Sequence, residues 1–99
     1  MIKTASFRVE DYLDSSETIA AYLSEALATE DAKYIARAIG TVARSTLGMT
    51  VIARETGLSR EGLYKSLGTD GNPELETVLK VLHAFGVQLV AKPKTLERA

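Results

Sequence analysis

The sequence predicts an all-α domain of five helices closed by a short C-terminal β-strand. Apolar residues recur at i, i+4, i+7 and i+8, as in Ile35, Ile39, Val42 and Ala43, the period that gathers side chains onto one helical face. Turn formers separate the periodic stretches, most densely at Gly68-Thr-Asp-Gly-Asn-Pro73. Partial two-residue alternation with β-branched content marks Val87-Gln-Leu-Val-Ala91 as the strand.

The first helix is expected over 16–28. Asp14 is placed to cap it, Glu17 favours the positive end of its dipole, and Ile19, Leu23 and Leu27 form its apolar stripe beside Ala20 and Ala26. Asp31 starts the second, which fades near 45–48. Gly40 inside it lowers helix propensity by about 1 kcal/mol but lets a neighbouring helix come close. The third and fourth helices, 50–56 and 60–67, share one turn. Gly57 supplies the left-handed residue that ends the first of them, and Ser59 caps the second. Pro73 suits the first turn of the fifth, where Leu75, Val78, Leu79, Leu82 and Phe85 line one face up to Gly86. Strand 87–91 needs a partner, either the extended stretch 6–9 of an N-terminal arm (1–14) or its own copy across a two-fold axis. Residues 93–99 read as a polar tail.

A chain of 99 residues fits one domain with one core, and 45% hydrophobic with 25% charged residues is the balance of a globular protein rather than a disordered or membrane one. The absence of cysteine removes disulfide frameworks, thiolate zinc sites and cysteine nucleophiles together. No apolar run has the length of a signal peptide or a membrane span, so a cytoplasmic location without membrane contact is expected. A net charge of −1 argues against non-specific coating of nucleic acid. The charge is uneven: residues 1–47 hold five basic and seven acidic side chains, whereas 48–99 hold seven basic and six acidic.

The stretch Met49 to Leu67 carries the functional signal. A helix-turn-helix needs a small residue where its helices cross, a positive-φ residue in the turn and an apolar residue holding the second helix to the core. Ala53, Gly57 and Leu63 meet those needs, with Ile52 and Leu58 as further anchors. The second helix then offers Ser59, Arg60, Glu61, Tyr64 and Lys65 to a major groove. Arg60 suits guanine O6 and N7, Glu61 suits cytosine N4, and Tyr64 and Lys65 suit phosphates or base edges. Arg54 and Thr50, on the first helix, complete the candidate DNA-binding set, Thr50 standing where helix N–H groups can receive a phosphate.

No catalytic constellation competes with this. There is no nucleophile–base pair, phosphate-cradling glycine loop or metal spacing, so neither an enzyme nor a cofactor is expected. His83 is the only histidine and lacks co-ligands. Glu10, Asp11 and Asp14 read as a solvated acidic cluster, and Asp70-Gly-Asn72 as a turn rather than a calcium loop.

Gly48 to Leu67, with the N-terminal Thr4-x2-Phe-x4-Tyr-Leu-Asp14 and the later Gly71-Asn-Pro-Glu-x2-Thr-Val-Leu-Lys-Val-Leu82, closely resembles the addiction-module antidote proteins, HigA-like antitoxins with an Xre-type helix-turn-helix. The resemblance covers nearly the whole chain. It implies an Xre/lambda-repressor-like fold and a DNA-binding antitoxin that represses its own promoter and neutralises a RelE/HigB-like toxin, an mRNA-cleaving ribonuclease. The broader Xre pattern often has Gln near the start of the first motif helix, where this chain has Met49-Thr50, which makes Thr50 the substitute for a Gln-mediated phosphate contact. A dimer reading two half-sites about one helical turn apart is the expected assembly. Tyr12, Tyr22 and Tyr34 suit either the core edge or a partner surface. The near-neutral charge favours the alternative function, a protein-interaction module without sequence-specific DNA binding.

Overall fold

The computed structural model describes residues 13–94, and five helices follow one another along them: α1 (Ser16–Ala28), α2 (Ala32–Ser45), α3 (Met49–Thr56), α4 (Arg60–Ser66) and α5 (Leu75–Phe85). Their order and nearly all their limits match the periodicity. The cap of α1 differs. Ser15, not Asp14, is the cap: its hydroxyl accepts the Thr18 N–H and its own N–H donates to the Thr18 hydroxyl, both at 3.2 Å. This capping box sits one residue later than expected because Leu13 is buried in the core, which fixes how the chain enters the helix and leaves Asp14 exposed.

At α2 the Asp31 carboxylate accepts from the N–H groups of Lys33 and Tyr34, each at 3.1 Å, as the sequence predicts. Ile39, Val42 and Ala43 turn inward and Ile35 packs at the margin. A Cβ on Gly40 would stand 2.6 Å from the Leu67 carbonyl oxygen and 3.3 Å from the Leu67 Cβ. Glycine there is what lets α2 lie against the end of α4. All five helices supply the core, with Leu23, Val42, Ile52, Leu63 and Val81 among its members.

Two further expectations change at α5. Helix geometry begins at Leu75 after an extended Glu74, so Pro73 lies before the first turn rather than inside it. The loop stays folded on α4 until that point: a Cβ on Gly71 would collide with the Ser66 carbonyl and lie 2.6 Å from that of Lys65. The inward arc of α5 is Val78, Val81, Leu82 and Phe85, whereas Leu75 (66%) and Leu79 (47%) face outward. The spacing 78, 82, 85 fits both arcs, and the burial of Val81 decides between them.

The expected strand at 87–91 does not form. After Gly86 the Val87 N–H still donates to the Leu82 carbonyl at 3.0 Å, and the chain then runs beside α1, where Leu89, Val90 and Lys92 line a cleft with Leu23 and Leu27. A strand exists through ladder bonds, and a helix has already spent its backbone groups on itself. The proposed partner stretch 6–9 lies outside the described residues, as does most of the polar tail. Lys94 ends the described segment with its ammonium 2.8 Å from the Glu30 carboxylate. That contact holds the Glu30 carboxyl below its ordinary range and raises the Lys94 ammonium, through the hydrogen bond first and charge second. Among the described residues no helix is long and apolar enough to cross a membrane.

Candidate nucleic-acid interface

The α3–α4 unit is fixed from its turn outward. Gly57 adopts φ 77°, ψ 9° and donates its N–H to the Ala53 carbonyl at 2.9 Å. The Thr56 hydroxyl donates back to the Ile52 carbonyl at 2.7 Å and accepts the Leu58 N–H at 3.2 Å, which ties both sides of the turn together. Ser59 then caps α4 by accepting the Gly62 N–H at 2.9 Å. Ile52, Leu63 and Leu67 are almost wholly buried, with Ala53 and Leu58 packed beside them.

With Leu63 pointing inward, α4 has its remaining face in solvent. Ser59, Arg60, Glu61, Tyr64 and Lys65 are all exposed, and Thr50 and Arg54 are exposed one turn apart on α3. The Arg60 guanidinium sits 5.3 Å from the centre of the Tyr64 ring. Side chains four apart on a helix are neighbours, and a guanidinium is drawn to the ring face. That pairing is legible in the spacing, although the expectation treated the two residues separately. Three cations, Arg54, Arg60 and Lys65, stand among two carboxylates, Glu55 and Glu61. Such a surface can offer directed donors but no broad positive field. The amino end of α3 begins at Gly48 with no side-chain cap, so no side-chain acceptor occupies its first-turn N–H groups.

Asn72 and Thr77 were not anticipated. They line a cleft beside Ser59, Gly62 and Ser66, reached because the Gly71 loop folds against the last turn of α4. Their only sequence signal is a glycine-rich loop directly after the helix. Asp70 lies in a turn, as expected, with the Gly71 N–H donating to the Gly68 carbonyl at 3.1 Å. His83 is exposed on α5. Tyr22 packs at the core edge and Tyr34 is exposed, whereas Tyr12, Glu10 and Asp11 lie outside the described residues.

Residues 3–93 match a family described as "Probable addiction module antidote protein". The chain is also similar to an uncharacterized protein of Haemophilus influenzae, 45% identical over 82 residues that cover 83% of this chain and 84% of that one. No solved structure matches it.

Proposed function

The chain belongs to the addiction module antidote protein family, and on that premise we propose that it is a DNA-binding antitoxin that represses its own promoter as a homodimer and neutralises a RelE/HigB-like toxin. An antidote implies a toxin as its partner. The DNA part of the reading rests above all on α4: a short helix capped by Ser59, anchored by Leu63, and offering Arg60, Glu61, Tyr64 and Lys65 to solvent. In this reading α3 and α4 form a helix-turn-helix with α4 as the recognition helix in a major groove.

The roles follow from donor and acceptor chemistry. Arg60 donates to guanine O6 and N7, Glu61 accepts from cytosine N4, and Tyr64 and Lys65 reach phosphates or neighbouring edges. Arg54 and Thr50 meet the backbone, with the uncapped start of α3 giving N–H groups to a phosphate. The Ser59 hydroxyl accepts from Gly62 within the protein and keeps its own proton for a phosphate oxygen. The protein works as a cytoplasmic regulator without enzymatic activity or cofactor.

The net charge of −1 favours a second reading, in which the same bundle binds only a protein. A gel shift of the full chain on its own upstream DNA, with unrelated competitor DNA present, separates the two. A complex that survives competitor supports the repressor; no complex, with or without the neighbouring gene product, leaves the protein-binding module as the better account.

A further inference from the structure

The outward face of α5 has a composition that asks for a cover. Leu75 and Leu79, one turn apart, are 66% and 47% exposed, while the opposite arc of the same helix fills the core. Glu55 of α3 and His83 share a cleft with Leu79 and Lys80, and along α5 itself the charges next to the two leucines follow a fixed order. Glu74 and Glu76 stand at the amino end, and Lys80 follows one turn after Glu76, at the middle of the helix, with its ammonium 3.4 Å from the Glu76 carboxylate.

That order is self-complementary under one symmetry. A second α5 laid antiparallel across a two-fold axis between the leucines sets the partner's Leu79 against Leu75 and the partner's Lys80 beside Glu76, and the reverse contacts follow by symmetry. A parallel copy would align acid with acid and base with base. Position fits as well. The first turn of α5 shares a cleft with α4 through Glu74, Thr77, Ser59 and Gly62, so an axis on α5 holds two copies of α4 in fixed relation. Reading two half-sites demands such a relation.

We propose that Leu75 and Leu79 form the centre of a homodimer interface in which Glu76 pairs with the partner's Lys80. This rests on the dimeric reading above and adds its location. Sedimentation velocity of the full chain at micromolar concentration tests both layers. The expected result is a dimer for the wild type and a monomer for Leu79→Lys, a change on an exposed position whose folding is checked by circular dichroism. A monomeric wild type overturns the dimer and this interface together. A variant that stays dimeric overturns the interface alone, and if it also loses toxin binding the face belongs to the toxin.

A second measurement depends on the charges. In Glu76→Lys or Lys80→Glu chains, each two-fold contact brings like charges together, whereas a mixture of the two chains makes both contacts attractive. Native mass spectrometry of the mixture is expected to show heterodimer well above the statistical half. A statistical distribution would falsify the antiparallel arrangement.

Discussion

Arg60 is already oriented before any ligand arrives. Its stacking on Tyr64, worth about 0.5–1 kcal/mol at an exposed site, removes part of the rotamer freedom a free arginine loses on binding. Two substitutions therefore differ in kind. Arg60→Ala removes the donor, and operator affinity is expected to fall by about 1–3 kcal/mol with relaxed preference at one base position. Tyr64→Ala removes the support, and affinity is expected to fall by less, with the preference at the Arg60 base position kept. Fluorescence anisotropy on single-base variants of the operator reads both, and a folded Arg60→Ala protein with unchanged affinity would remove the assignment. Two glycines make a parallel contrast in stability. A Cβ on Gly57 meets open space, so Gly57→Ala costs only the left-handed backbone, about 1–2 kcal/mol. Gly40 has ordinary helical φ, and alanine there should gain about 1 kcal/mol of propensity. It instead meets the Leu67 carbonyl at 2.6 Å, and overpacking of about 1–3 kcal/mol makes the net change destabilising. Thermal melts of both variants check this, and a stabilised Gly40→Ala protein would show that α2 and α4 can separate at no cost.

Elements were legible where one local signal decides them. Asp31, Gly57 and Ser59 each have a single cap or turn that suits their neighbours, and the structure uses it. At α1 two frames compete, Asp14 with Glu17 and Ser15 with Thr18, and the burial of Leu13 chooses between them. Such a choice is tertiary and leaves no mark in spacing. The segment after α5 is a stronger case, because alternation and β-branching describe residues that suit a strand but cannot supply its partner. At its far end it meets the turn after α1 through the Glu30–Lys94 pair. Both shifts favour the charged forms. The Glu30 contribution is present above its ordinary 4.5 and is lost as pH falls through the lowered folded value; that of Lys94 is present below 10.5 and is lost as pH rises through the raised one. The clasp is thus intact across the neutral range and open to screening by salt, since both ends are in solvent. Carbon-detected NMR titration is expected to place the Glu30 midpoint lower in the wild type than in Lys94→Ala, with the gap closing at high salt. Equal midpoints at low salt would mean the pair does not persist in solution.

At the scale of the whole molecule, composition identified a globular domain and apolar periodicity a helical one, but neither could say which side of α5 faces inward. Leu75 and Leu79 pass for core in the sequence because an apolar stripe looks the same whether it packs within a chain or between chains. The candidate site was legible as a residue set, since Leu63 alone determines which way α4 turns, whereas Asn72 and Thr77 depend on how a loop folds back. The whole-molecule charge yields the sharpest prediction about DNA. With a net −1, affinity cannot come from a broad cationic surface, so phosphate neutralisation falls to a few side chains. If Arg60 reads a base, Arg54 and Lys65 remain on each copy, and a dimer would neutralise about four phosphates, giving a slope of log affinity against log salt near −3.6. Between about 50 and 200 mM salt, that slope amounts to roughly a hundredfold loss. Arg54→Ala or Lys65→Ala should flatten it by about 2 in a symmetric dimer, while Arg60→Ala should leave it nearly unchanged and lower affinity at every salt concentration. A wild-type slope near zero would remove the phosphate contacts and the repressor with them. A slope much steeper than −5 or so would place further cations on the DNA, drawn from outside α3 and α4.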